Sequence, residues 1–163
     1  MPESKPTQGL AEMEKMLREG AWGCLAVRDG EGVYAVPLNY GYADGRIIFH
    51  CALEGKKLDR IRRDPRVCFT VARQPGFVRE HPGGKPCEVD SDSVICRGTA
   101  RILEDPDERL DALNAFNRAF RPDADDLRAD QVTRCAAVII DIDEMTARYE
   151  RDGDVITYRW TAR

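Results

Sequence analysis

The sequence predicts a mainly β (α+β) fold: an antiparallel barrel of six or seven strands with helices at its periphery. Three observations carry that prediction. Short apolar or alternating runs are joined by tight-turn signals at Asp29-Gly30-Glu31-Gly32 and Asp44-Gly45, which read as hairpins. The strand-like runs do not alternate strictly with helical ones, which argues against a doubly wound parallel sheet. The chain has 163 residues, 42% of them apolar. That is one domain's worth, enough to bury a core without disulfides or metals. Residues 1–163 are therefore read as a single domain.

The elements follow in chain order. Residues 8–19 place Leu10, Met13, Met16 and Leu17 on one helical face, and Gly20 ends that helix. Residues 24–27, 34–40 and 47–51 then read as three short strands of a meander. Pro37 removes a ladder donor from the second strand, so that strand belongs at an edge or a bulge. Residues 56–63 form a short helix that Asp64-Pro65 stops, because a residue before proline is pushed out of the α region. Residues 66–72 return to strand. Residues 74–90 hold three prolines and three glycines and read as a long loop of the kind that is functional or mobile. Ser93–Leu103 is a long strand with Val94, Cys96, Ala100 and Ile102 on one face, and Gly98 marks a bulge or a close approach. Asp105-Pro106-Asp107-Glu108 is a strong helix start. Leu110, Leu113, Phe116 and Phe120 give that helix its stripe, and Arg121-Pro122 ends it. Residues 135–142 are a strongly apolar strand, and residues 147–149 begin a further one.

Composition narrows the partners. With 25 basic against 29 acidic residues the net charge is −4, which weighs against nucleic acid as a partner. The longest apolar run, Cys135 to Ile140, is far short of the roughly 20 residues a membrane span needs. No apolar signal segment opens the chain, so a cytoplasmic location is expected. The six cysteines show no Cys-x-x-Cys pair, and His50 and His81 are too scattered for a zinc pattern. Cys24, Cys68, Cys96 and Cys135 lie in apolar stretches and read as small buried hydrophobes. No metal site is expected.

Residues 36–57 carry the chemistry. Lys56 and Lys57 stand at the first positions of a helix, where the dipole is already positive. A bound anion relieves that conflict, and free backbone N–H groups with two ammonium groups make a phosphate site. The alternative is a solvated pair of surface lysines. His50 ends its strand near that helix start, on the face opposite Phe49. It could donate to phosphate, pack beside a ring, or be a satisfied structural histidine. Asn39 lies on the face opposite Tyr34, Val36, Leu38 and Tyr40. Its amide both donates and accepts, so it could read the polar edge of a heterocycle or simply bind solvent.

The segment VPLNYGYADGRIIFHCALEGKKLDRIRRDPRVCFTV, at 36–71, resembles the FMN-binding split-barrel family related to pyridoxamine 5′-phosphate oxidase. Within it, the chain is most similar to the nitroimidazole-resistance branch. Cys87, Ser93-Val94-Ile95 and Gly98 continue the resemblance, and residues 138–146 resemble the family's closing strand. The resemblance covers residues 10–150. It implies a split β-barrel and a homodimer with two FMN sites at the subunit interface. It implies that Lys57 and Lys56 hold the FMN phosphate with help from His50 and Cys51. Val36, Pro37, Leu38, Asn39 and Tyr40 would line the isoalloxazine, with Asn39 near its polar edge, and Ser93 would approach from the long strand, of this chain or of the partner subunit. Cys51 stands where the family often has a small hydroxyl residue, and a thiol is a poorer phosphate donor.

The function this implies is a flavin-dependent oxidoreductase. It would take electrons from NAD(P)H and reduce a small acceptor, such as a nitroaromatic of the 5-nitroimidazole type. The cofactor performs the redox chemistry and the protein binds and tunes it. His50 is the candidate catalytic residue nearest the reacting ring. The alternatives are a non-catalytic flavin carrier or redox sensor, and the same fold holding deazaflavin or haem.

Overall fold

The computed structural model describes residues 6–30, 32–75, 89–151 and 153–162. Most of the loop expected at 74–90, including His81 and Cys87, lies outside the described residues.

Eight strands and three α-helices are present among the described residues. In chain order they are α1 (Pro6–Glu19), β1 (Trp22–Asp29), β2 (Gly32–Asn39), β3 (Gly41–Ala43), β4 (Arg46–Cys51), α2 (Lys56–Arg63), β5 (Arg66–Arg73), β6 (Ser91–Ile102), α3 (Pro106–Phe120), β7 (Ala136–Arg151) and β8 (Asp154–Thr161). All described pairings are antiparallel, in the order β2-β1-β5-β6-β7-β4-β3, with β8 also on β7. The architecture is a split β-barrel with peripheral helices.

The split follows from the registers. The single residue Tyr40 separates β2 from β3. β2 pairs with β1, whereas β3 pairs with β4 through Gly41↔Ile48 and Ala43↔Arg46. Continued backward, the β3–β4 register would set Asn39 opposite His50. Instead β2 leaves β4 there, and Trp22↔Asn39 begins its pairing with β1. A gap opens between one edge of β2 and the end of β4. β7 branches in the same way. Its first part pairs with β4, from Ala136 to Asp141, and its second part with β8, from Glu144 to Arg151.

Two helices close the ends of the barrel. Met13, Met16 and Leu17 of α1 pack into the core with Tyr40, Phe69, Val94 and Met145. Leu58 and Ile61 of α2 are buried at the other end. A second core forms outside the barrel, where Leu113 and Ala112 of α3 cover Ile48, Ala137 and Ile139. The alternation of β4 requires this: Ile47 and Phe49 face the barrel while Ile48 faces α3.

The sequence-based expectations hold with instructive differences. β2 is an edge strand with respect to β1, as Pro37 demanded. Gly98 does sit at a bulge: the β6–β7 register shifts between Arg97 and Gly98, and a Cβ there would lie 2.1 Å from the Asp141 carbonyl oxygen. The strand count exceeds the expected six or seven. β7 is one strand of sixteen residues, read as two because Asp141, Asp143 and Glu144 interrupt its apolar run. β8 is mostly exposed, so its hydrophobic pattern is faint. Cys135 lies just before β7 and its thiol sits 3.8 Å from the Val132 carbonyl. Of the cysteines expected to be buried, Cys96 is fully so, while Cys24, Cys68 and Cys135 are half-buried. Burial pushes the Cys96 thiol up to about 12.

A buried carboxylate anchors a polar cluster at the α1 end. Asp92, at the start of β6, receives Arg73 at 2.8 Å and Arg151 at 2.6 Å. Arg73 also donates to Glu19 of α1 at 2.8 Å. Burial alone would raise the Asp92 carboxyl, but the hydrogen bonds from Arg151 and Arg73 outweigh it and leave it lowered.

Candidate functional site

The gap between β2 and β4 collects most of the residues singled out from the sequence. β2 supplies Val36, Pro37, Leu38 and Asn39. Val36 and Leu38 turn inward onto the core, while Pro37 and Asn39 face out. The Asn39 amide donates to the Ala21 carbonyl at 3.0 Å. That bond orients the side chain and uses one of its two N–H donors, leaving the amide oxygen to accept. Tyr40 differs from the rest. Its ring is 0% exposed and packs edge-on against Phe69, and its hydroxyl donates to the Leu17 carbonyl at 2.8 Å. Burial pushes that hydroxyl's pKa well up. Tyr40 therefore fixes the β2–β3 bend beneath α1, and its ring does not reach the surface.

The opposite wall is the end of β4. His50 is exposed and meets the Phe116 ring edge-to-face at 4.9 Å. Phe116 in turn lies 5.0 Å from Phe120, which is itself exposed. A short aromatic ladder thus runs from the gap onto α3. Sequence reasoning placed Phe116 and Phe120 in the buried stripe of that helix. A helical period cannot say that the stripe outruns the sheet it covers. Cys51 turns the other way, onto the barrel core. Burial pushes its thiol up, against the opposing pull of Lys57 and Arg62.

The two lysines part company. Lys56 lies 4.9 Å from the centre of the Tyr34 ring and 3.5 Å from Asp29, which also receives Arg60 at 2.8 Å. Lys57 is half-buried beside Cys51, and no carboxylate pairs with it among the described residues. The helix start supports it: no side chain caps α2, and the first intrahelical bond runs from the Asp59 amide to the Gly55 carbonyl. The backbone N–H groups ahead of Asp59 are therefore free of helical partners. Unmatched ammonium, free amides and helix dipole converge where an anion fits.

Ser93 is not part of this cluster. It pairs with Ala72 and Arg148 at the α1 end of β6. His50 pairs with Ala137, eleven residues along β7 from Arg148. At about 3.3 Å per residue that is roughly 35 Å of strand, at the opposite end of the barrel. On one chain, Ser93 and the strand pair of His50 therefore stand near opposite ends of β7.

Fold and site together define a class: a split barrel with a cationic cleft between parted strands. The chain belongs to the pyridoxamine 5′-phosphate oxidase family, whose pattern matches residues 10–149. No curated protein matches the sequence. Among solved structures, one similar protein is a candidate 5-nitroimidazole antibiotic resistance protein from Bacteroides thetaiotaomicron. The identity is 25%, covering 97% of this chain and 87% of that one, with a TM-score of 0.75. An FAD and haem binding protein from Mycobacterium smegmatis has 14% identity over 93% of this chain and 82% of its own, with a TM-score of 0.74. An FAD-binding protein from Mesorhizobium loti has 22% identity over 84% and 91%, with a TM-score of 0.61. The last two show a shared fold. No helix among the described residues is long and apolar enough to cross a membrane.

Proposed function

We propose that this protein is a flavin-dependent oxidoreductase that binds FMN in the β2–β4 cleft and works as a cytoplasmic homodimer. The observation that carries the reading is Lys57: a half-buried ammonium without a carboxylate partner among the described residues, beside an uncapped helix start. The FMN phosphate supplies the missing anion there. Lys56 contributes less, because Asp29 already holds it. The ring then lies over Pro37 and along the free edge of β2, with the Asn39 amide oxygen at its polar edge. His50, steadied by Phe116, stands beside the ring as the candidate catalytic residue.

A flavin held there would supply two-electron chemistry between NAD(P)H and an acceptor such as a nitro group, which two electrons and two protons convert to a nitroso group and water. The family membership and the similarity to the Bacteroides protein support an acceptor of the 5-nitroimidazole type. The names of the two FAD-binding relatives support a flavin without distinguishing FMN from FAD. Within this reading, a Ser93 that touches the same flavin as Lys57 comes from the partner chain. A carrier or sensor role would gain from a low-pKa thiol at the site, and burial moves Cys51 the other way.

The test is spectroscopic. Purified protein incubated with FMN should turn yellow, bleach anaerobically with NADPH or NADH, and recover its colour with a 5-nitroimidazole. Flavin that binds but is not reduced by either nicotinamide would leave the carrier reading standing instead.

A further inference from the structure

We propose that Trp22 is a further ring-contacting residue of the cleft: its indole walls the β1 side and packs against the isoalloxazine. This role rests on the flavin reading above and adds to it a contact from outside residues 36–57.

The backbone that carries Trp22 is pinned. The Gly20 N–H closes α1 by donating to the Met16 carbonyl at 3.1 Å. A Cβ on Gly20 would lie 2.3 Å from the Tyr40 hydroxyl, and one on Gly23 would lie 2.3 Å from the Phe69 ring. Only glycine lets the chain press this closely on the two rings that fill the α1 end of the barrel. Phe69 occupies the inner face of β1 at Gly23, so the adjacent Trp22 points outward. Trp22 is 62% exposed. The other tryptophan, Trp160, is half-buried against the core.

That outward position is beside the cleft. Trp22 pairs with Asn39, and paired residues share a face of the sheet. The Asn39 amide donates to the Ala21 carbonyl at 3.0 Å, so amide and indole are tied together through adjacent residues. Pro37 pairs with Cys24, which makes it the diagonal neighbour of Trp22, within reach of a large aromatic side chain. Asn39 thus has the indole on one side. On the other are the gap and His50 with its edge-to-face partner Phe116.

The size of the ring completes the case. Neighbouring strands stand about 4.8 Å apart, and a three-ring flavin laid over Pro37 is wider than that. It overhangs β2 and meets Trp22 on the β1 side. A single exposed hydrophobic residue is ordinary on a protein surface. A pinned indole in register with Asn39 is a preorganised aromatic wall, and a flat ring is what such a wall packs best.

Affinities for FMN and riboflavin should be measured for wild type, Trp22→Ala and Trp22→Phe, together with the fluorescence of each saturated complex. Trp22→Ala should weaken both flavins by the same factor, roughly three- to tenfold, because the contact is with the ring and not the phosphate. Trp22→Phe keeps an aromatic face and should hold both affinities within about twofold. An indole touching an excited flavin quenches it, by an electron that passes to the flavin and returns; a phenyl ring does not. Bound flavin should therefore brighten several-fold in Trp22→Phe while its affinity is kept, a change that a merely structural role of Trp22 would not produce. Unchanged affinity in Trp22→Ala, or a Trp22→Phe complex as dark as wild type, overturns the role. So does an altered molecular mass in Trp22→Ala with flavin affinity intact, which would make the indole a subunit contact. Wild-type protein that takes up neither flavin overturns the flavin reading itself, and this role with it.

Discussion

Replacing Lys57 by alanine separates a phosphate site from a merely basic surface. Lys57 is half-buried and lacks a carboxylate partner among the described residues, whereas Lys56 pairs with Asp29 at 3.5 Å. A hydrogen bond to a charged group is worth about 1.5–3 kcal/mol. Lys57→Ala should therefore weaken FMN binding by roughly 10- to 150-fold. Lys56→Ala removes an exposed ion pair worth about 0.2–1 kcal/mol and a peripheral charge, so its effect should be several-fold at most. The assay is quenching of flavin fluorescence, run in parallel with FMN and with riboflavin, which has no phosphate. Lys57→Ala should weaken FMN and leave riboflavin where it was. Equal losses for the two flavins would mean that Lys57 supports the cleft rather than the phosphate. An unchanged FMN affinity would refute the reasoning altogether.

Three further outcomes are expected. Asp92→Asn should destabilise the protein by about 1.5–3 kcal/mol at neutral pH. The native carboxyl is lowered, so its contribution is present above the ordinary carboxylate range and lost as pH falls through the lowered value. Denaturant melts of wild type and variant should therefore differ by a constant amount from pH 5 to pH 8; the difference begins to shrink below about pH 4 and closes only as pH falls through the lowered native value. Gly98→Ala would set a Cβ 2.1 Å from the Asp141 carbonyl oxygen. It should cost at least about 2 kcal/mol in urea unfolding, and a wild-type midpoint would show that the bulge is not as described. Tyr40→Phe deletes the bond to the Leu17 carbonyl. It should lower stability by about 1 kcal/mol while leaving FMN affinity within twofold, since the ring is enclosed.

Much of the molecule was legible locally. A helix ending at Gly20, a hairpin at Asp44-Gly45, a stop at Asp64-Pro65 and a bulge near Gly98 each rest on the properties of a few adjacent residues. The outward placement of Asn39 and His50 followed from strand alternation alone. The elements that escaped have a common character. β8 is exposed and carries no strong period, and β7 is held together across its acidic interruption by partners on both sides. Local pattern registers burial on one face and says little about pairing.

The sequence by itself determined the fold class and the edge character of β2, and it singled out the residues proposed to carry chemistry. Those properties depend on near neighbours and on side-chain type. Only the tertiary structure decided how those residues divide. It parted β2 from β4 to make the cleft. It gave Lys56 to Asp29 while leaving Lys57 unmatched, and turned the Tyr40 ring into the core. It also carried Ser93 to the far end of the barrel, in line with Arg148 and Thr157. These outcomes come from strand registers between segments distant in the chain, and a register is set by the sum of many cross-strand contacts rather than by any one motif.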